Sequence, residues 1–260
     1  MIAPGFADVE GQIWIWMLAM IRPSAAMVVA PIFGAANVPV QIRVILAFMI
    51  GMVATNSASF DLPGDTAISL SNSLFVMGEV LAGLAIGFSL QLGYSSVLIA
   101  GETISNAMGL GFASMSDPQT GQSTPVIGQF LTILATLLLL AIDGHLMLLA
   151  TIVNSYSALP PGYAFLGAEI FSGIVKFGGI LFSMGLLIAL PVGGALILIQ
   201  FIMGFLARTA PALNLFAVGI PVTISGGLIA LAVTAPIMAE TITQSIGMGL
   251  DHAALIAGGR

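Results

Sequence analysis

Residues 101–129 read GETISNAMGLGFASMSDPQTGQSTPVIGQ, and long, almost uncharged apolar runs lie on both sides of them. Pro118 and Pro125 lack a backbone N–H group, and each disfavours helical angles at the residue before it. The glycines in this stretch allow backbone angles that other residues avoid. The stretch therefore predicts an irregular loop between two helices of the membrane class.

A loop at the depth of a membrane cannot face lipid, because every unpaired backbone N–H or C=O group there would be costly. It must be enclosed by protein or line a water-filled cavity. Its expected apolar contacts are Met108, Leu110, Phe112 and Met115. The sequence thus predicts an opening, or a stopper, at this point of the chain.

The composition is that of a membrane protein, since 58% of the residues are hydrophobic and 6% are charged, against about a quarter charged in soluble domains. The 260 residues leave room for roughly five to seven spanning helices. A net charge of -6 argues against nucleic acid as a partner, because phosphate binding requires clustered Lys and Arg. The absence of cysteine excludes disulfides and thiolate metal sites.

The apolar run from Leu74 to Ala100 carries one polar face with a four-residue spacing. Its members are Glu79, Gly83, Gly87, Gln91 and Ser95. Gly83 and Gly87 form a small-xxx-small pair, which allows another helix to approach closely. One interpretation is a helix–helix seam with a satisfied polar pair; the other is a stripe that lines a pore or carries protons.

Three other apolar runs contain breaks. The run from Ile13 to Phe33 holds Arg22-Pro23, and such an arginine is expected to be buried against a partner or to lie at an interface. Pro191-Val192-Gly193-Gly194 divides the uncharged run 177–207, which predicts one long kinked helix or two half-helices folded back on each other. Proline and glycine also interrupt the run 215–238.

Asp143-Gly144-His145 interrupts the apolar run that follows the loop. An aspartate and a histidine suggest a proton relay, but residues two apart on a continuous helix do not face each other. Gly144 favours a local helix break in which the Asp143 side chain caps backbone N–H groups.

Several blocks together closely resemble the FliR/SctT family, inner-membrane export-gate proteins of bacterial type III secretion. The blocks are GEVLAGLAIGF at 78–88, MGLGFASM at 108–115 followed by Asp117-Pro118-Gln119, Asp143-Gly144-His145, ARTAP at 207–211 and NLFAVGIP at 214–221. They occur in order over nearly the whole chain. The Asp-Pro-Gln-x-Gly-Gln form of the loop resembles the flagellar branch of the family more than the injectisome branch.

The resemblance implies an all-α membrane protein of long kinked helical hairpins with Pro/Gly breaks, within a helical export-gate assembly. Residues 1–160 would form a FliP-like part that includes a central plug loop at 106–129. Residues 161–260 would form a FliQ-like helical hairpin and a C-terminal tail. The implied partners are FliP-like and FliQ-like subunits, FlhB-like and FlhA-like export components, unfolded flagellar proteins in transit and membrane lipid. The implied location is the bacterial inner membrane, in the flagellar basal body.

In the family, the loop that matches residues 108–122 plugs the closed pore beside a methionine-rich gasket. The plug residues by this match are Met108, Gly109, Leu110, Gly111, Phe112, Met115, Asp117, Pro118, Gln119, Gly121 and Gln122. The residues expected in helix packing or in the polar interior are Glu79, Gly83, Gly87, Gln91, Asp143, His145, Arg208 and Asn214.

No nucleophile–base pair, phosphate loop or metal cluster is evident in the sequence, so we expect a protein that is not an enzyme and holds no cofactor or metal. Two other interpretations stay open besides the injectisome counterpart. One is a secondary transporter with a relay formed by Glu79, Glu102, Asp143 and His145. The other is a structural scaffold in which the loop is only a rigid connector.

Overall fold

The computed structural model describes residues 6–55, 70–111, 126–161, 168–209 and 215–258. These residues form eight α-helices: α1 (Phe6–Ala19), α2 (Ile21–Val29), α3 (Val40–Ala54), α4 (Leu70–Ala107), α5 (Val126–Ala141), α6 (Gly144–Ala158), α7 (Ala168–Thr209) and α8 (Leu215–Ala257). Every element in the described ranges is therefore helical, which confirms the predicted all-α class.

Within the described ranges, four segments are long and apolar enough to cross a membrane. They are Gly11–Val29, Asn72–Ala107, Ile170–Thr209 and Val218–Ala257. The pair α5 and α6, interrupted at residues 142–143, is a candidate for one further span. The chain is accordingly an α-helical membrane protein.

The chain forms two compact units that alternate along the sequence. The first comprises residues 1–93, 142–178 and 246–260, and the second comprises residues 94–141 and 179–245. The long helices α4, α7 and α8 each contribute to both units. These spatial units do not follow the expected division after residue 160, and the FliP-like and FliQ-like parts stay a prediction.

In the first unit, α1, α2 and α3 pack against one another, and α2 and α3 also contact α6. Gly51 of α3 lies against the α1–α2 junction, where an added Cβ would come within 2.8 Å of the Met20 nitrogen and 2.9 Å of the Ala19 carbonyl carbon. The Tyr156 hydroxyl of α6 donates a 2.7 Å hydrogen bond to the Ala19 carbonyl oxygen. The same junction is thus held from two sides.

In the second unit, α4, which precedes the predicted loop, packs closely against α5, which follows it. A Cβ added at Gly101 would overlap the backbone of Gly128. The Tyr94 hydroxyl bonds the Thr132 carbonyl at 3.0 Å and lies 2.7 Å from the Thr136 hydroxyl. This tight approach is possible because neither glycine has a side chain at the contact.

The boundaries predicted for the loop were therefore wrong. Residues 101–107 belong to α4, and residues 126–129 belong to α5. The polar side chains at the end of α4 do not break it, because hydroxyls such as that of Thr103 bond back to their own helix (2.8 Å to the Ile99 carbonyl).

The proline-containing runs form continuous helices. Pro191 lies inside α7, and Pro221 and Pro236 lie inside α8. Of the two interpretations of the run 177–207, the single long helix is thus the one observed. In membrane helices, neighbouring side chains and local adjustments can satisfy the carbonyl that a proline leaves free.

Candidate functional site

The candidate site is the point where α4 ends and the predicted plug begins. Ala107 is the last helical residue, Met108 follows it, and Gly109 has a φ of 82°, in the left-handed region. The Gly109 N–H donates to the Asn106 carbonyl at 3.0 Å, and the Leu110 N–H donates to the Ser105 carbonyl at 3.0 Å. These two bonds and the glycine conformation define a Schellman cap.

Two carbonyl groups at this helix end lie outside the Schellman bonds, and side chains of other helices in the second unit bind both. Gln200 Nε2 of α7 donates to the Ala107 carbonyl at 2.7 Å. Thr223 Oγ1 of α8 donates to the Met108 carbonyl at 3.1 Å and also lies 3.0 Å from the Ile220 carbonyl of its own helix. The end of α4 is therefore joined to α7 and α8.

The side chain of Met108 is fully buried in the second unit. It fills a notch that Gly227 leaves in α8, where an added Cβ would lie 2.7 Å from Met108 Cγ and 2.8 Å from Cε. An unbranched, flexible thioether side chain suits such an irregular space. Met108 is thus the deepest point of the connection between α4 and α5 among the described residues.

The predicted plug lies only partly within the described residues. Met108 is buried, and Leu110 and Gly111 are half-buried. Seven predicted plug residues lie outside the described ranges: Phe112, Met115, Asp117, Pro118, Gln119, Gly121 and Gln122. Asn214 lies outside them as well.

In the first unit, Glu79 is fully buried and paired with Arg22 of α2. Arg22 Nε and Nη2 donate to the two carboxylate oxygens at 2.9 Å each, in a bidentate arrangement. Nη1 donates to Ser155 Oγ at 2.8 Å and Nη2 to the Leu159 carbonyl at 2.9 Å. The guanidinium carbon lies 4.0 Å from the centroid of the Tyr156 ring. A buried charge pair requires such additional partners, because both ions have lost their hydration.

Gly83 and Gly87, one and two turns beyond Glu79, lie against the backbone of α2. A Cβ at Gly83 would overlap the Arg22 carbonyl oxygen, and a Cβ at Gly87 would overlap that of Ala26. The polar face of α4 is therefore in contact with α2 at these positions. Further along the same face, Gln91 is half-buried.

The helix is interrupted at Asp143, as predicted, but the Asp143 side chain does not cap the helix that follows. Asp143 adopts a left-handed conformation with φ 55° and ψ 23°, and its side chain makes no capping hydrogen bond. Its backbone carbonyl instead accepts the N–H groups of Leu146 and Met147, at 2.9 and 3.0 Å. Aspartate is among the few residue types that adopt this conformation readily. The capping prediction for the Asp143 side chain was wrong.

The remaining predicted residues do not converge. Asp143 and Arg208 are exposed, and His145 is half-buried. Arg22 already occupies the carboxylate of Glu79, which the transporter interpretation needs as a relay group. No cluster of three or more acidic or histidine residues suited to a metal ion occurs in the part of the chain that the structure describes.

Sequence reasoning did not find Gln200, Thr223 or the partner of Arg22. Gln200 and Thr223 are single polar residues in apolar runs, a signal too common to single them out. For the ion pair, the available signal was one cation and one anion in otherwise uncharged runs, where each needs the other.

Residues 13–248 match the family described as bacterial export proteins, family 1. The chain belongs to this family. The match confirms the family resemblance found in the sequence, and it covers all of the helices from within α1 to within α8.

The chain is similar to flagellar biosynthetic proteins FliR from several bacteria. That of Escherichia coli (strain K12) is 33% identical over 229 residues, 88% of this chain and 86% of its own. That of Bacillus subtilis (strain 168) is 34% identical over 239 residues, 91% and 92% of the two chains. That of Pectobacterium carotovorum is 32% identical over 220 residues, 84% and 83%. Their name places these relatives in flagellar biosynthesis.

Proposed function

We propose that this protein is a core subunit of the flagellar type III protein export gate. Together with FliP-like and FliQ-like subunits it forms the pore through which unfolded flagellar proteins cross the bacterial inner membrane, in the basal body. Residues 108–122 plug the closed channel. The protein is not an enzyme, and FlhB-like and FlhA-like components act with it to move the substrates.

The observation that carries the proposal is the position of Met108. The segment predicted as the plug begins at a fully buried methionine, on a helix end whose remaining carbonyls are bound by α7 and α8. A simple surface connector between two helices would begin at an exposed, hydrated helix end. A plug has to begin inside the protein, and flexible apolar side chains can seal a narrow channel against water and ions.

The surfaces of α7 and α8 fit a subunit of a larger assembly. In the most apolar stretch of each helix, 22% of α7 and 17% of α8 are buried within this chain, whereas 56% of α4 is buried. The exposed residues are large and apolar over many turns, so they require contact with lipid or with other subunits. The proposed FliP-like and FliQ-like neighbours would supply part of that contact.

The test is ion leakage in cells whose only copy of the protein lacks residues 109–122, measured together with export of hook or filament protein. We expect increased leakage with the gate complex still assembled, as checked by co-purification. The matched control replaces residues 112–122 by a Gly/Ser linker of equal length, which keeps the reach of the connection and removes its apolar side chains. It should leak as well.

Intact assembly without leakage in both variants would contradict the plug and leave residues 109–122 as a connector. If only the deletion variant leaks, the leakage results from the shortened connection between α4 and α5 and not from the loss of a plug. The geometry counts against the transporter alternative, since that alternative needs the Glu79 carboxylate as a free relay group and Arg22 binds both of its oxygens.

A further inference from the structure

At the end of α4, each backbone carbonyl that the helix leaves without an internal partner accepts a hydrogen bond. A helix leaves its last four carbonyls without partners inside the helix. Here the N–H of Met108 binds the Ile104 carbonyl at 2.9 Å, and the Schellman bonds use the carbonyls of Ser105 and Asn106. Only the carbonyls of Ala107 and Met108 then require partners from elsewhere.

Those two carbonyls receive one hydrogen bond each, from Gln200 of α7 and from Thr223 of α8. Both helices are of the membrane class. The bond to the Met108 carbonyl is buried and the bond to the Ala107 carbonyl is exposed. A carbonyl that is buried or lies in lipid is costly to leave unpaired. The bonds come from different helices, which fixes the direction in which the chain leaves α4 and not merely the stability of its last turn.

We propose that Gln200 and Thr223 are positioning residues that hold the start of the α4–α5 connection, with Gly227 providing the space for Met108. They fix the backbone at Ala107 and Met108. The direction in which the chain continues after the turn at Gly109 is therefore fixed as well. The importance of this anchor for export rests on the proposed plug function. The anchor itself is a property of the second unit and can be tested separately.

The test uses the full chain assembled in membranes and exploits its lack of cysteine. Leu110→Cys places a single thiol at a half-buried position two residues beyond Met108, and its rate of labelling by a membrane-impermeant maleimide reports how far that position is exposed. Thr223→Val keeps the shape of the side chain and removes its hydroxyl group, and Gln200→Met removes the amide donor. Each should increase the labelling rate about five-fold, the equivalent of one hydrogen bond of about 1 kcal/mol. The double variant should approach roughly 25-fold if the two effects add.

Three controls separate a local effect from damage to the fold. Thr223→Ser retains the hydroxyl and should label at the original rate. Thr241→Val removes a hydroxyl that donates to the Ile237 carbonyl of its own helix at 2.9 Å, and should also leave the rate unchanged. A second reporter, Ala135→Cys, lies at a fully buried position of α5 and should stay unlabelled in every variant.

Unchanged labelling of Leu110→Cys in both Thr223→Val and Gln200→Met would overturn the proposal. If Thr223→Val fails to assemble, Gln200→Met decides the question alone, because Gln200 lies at an exposed position where a methionine fits. Ion leakage is recorded in the same cells. Faster labelling with leakage supports the anchor and the plug together, whereas faster labelling without leakage supports the anchor and counts against the plug function.

Discussion

At the scale of single residues, the ion pair of Arg22 and Glu79 is the most demanding feature of the first unit. Both side chains are fully buried, and the arginine has partners on α4, on α6 and at Leu159. Removing one member of such a pair leaves a buried charge without compensation and costs about 3–5 kcal/mol, whereas replacing both by apolar residues is often nearly neutral.

We therefore expect Arg22→Met and Glu79→Leu each to lower the thermal stability of the detergent-solubilised protein strongly. The double variant should lose clearly less than the sum of the two, because neither charge is left alone. Arg22→Lys should lose less than Arg22→Met, because the ammonium group still compensates the charge of Glu79. It should not restore full stability, since it cannot reproduce the bidentate bond together with the contacts to Ser155 and Leu159. Losses that simply add in the double variant would refute a direct coupling.

Asp143 contributes to the fold through its left-handed backbone conformation and not through a capping bond of its side chain. Because φ is 55° and the side chain makes no capping bond, Asp143→Asn and Asp143→Gly should keep both stability and export. Asp143→Val should cost about 1–2 kcal/mol, since a β-branched residue is strained in the left-handed region. Thermal unfolding and export assays on the three variants check this. Loss of export in Asp143→Asn with an intact complex would instead favour a titrating carboxylate.

At the scale of helices, the contact between α2 and α4 depends on two glycines. Gly83→Leu or Gly87→Leu should prevent this packing and block co-purification with the partner subunits. Even Gly83→Ala should lower stability, because the added Cβ would meet the Arg22 carbonyl and lie 2.9 Å from the Cβ of Ala25. Helix packing of this kind requires small residues at the seam.

The matched control for that prediction is Gly194→Ala in α7. Gly194 also lies inside a long apolar helix, but a Cβ there would have no atom within 4 Å. The substitution should be neutral or stabilise the helix by about 0.5–1 kcal/mol, since alanine has the higher helix propensity. Equal losses at Gly83 and Gly194, measured by thermal unfolding, would contradict close packing against α2 as the cause of the loss at Gly83.

The same helices show what the sequence could predict and what it could not. Long apolar runs and the four-residue spacing of Gly83 and Gly87 were enough to predict α4 and a close contact on that face. They could not name α2 as the neighbour, because the pairing joins residues 57 positions apart. The polar character of residues 101–107 favoured a loop, whereas the structure has them in α4, where Gly101 lies against Gly128 of α5. This contact between residues distant in the sequence could not be predicted from the local composition. Pro191, Pro221 and Pro236 favour helix breaks in the sequence, but they lie inside continuous helices. Packing against neighbouring segments outweighs the local preference of proline.

At the scale of the whole molecule, α8 has a large apolar face that the described parts of this chain leave uncovered. On α8, Ile229, Val233 and Ile237 follow one another at four-residue spacing and are 66%, 73% and 58% exposed. This spacing places them on one face of the helix. The face must lie against lipid or against another subunit, and the export-gate proposal favours a subunit.

We therefore expect a photo-crosslinking amino acid at Val233 to form a covalent adduct with a FliP-like or FliQ-like subunit in cells that produce the whole gate. The control is the same variant produced without those subunits, in which the protein adduct should disappear and lipid should take its place. Val233 suits the test because its side chain already points away from the chain and a larger group there disturbs no internal packing. Lipid adducts alone in the complete system would assign this face to the bilayer, and the partners would then have to bind elsewhere on the molecule.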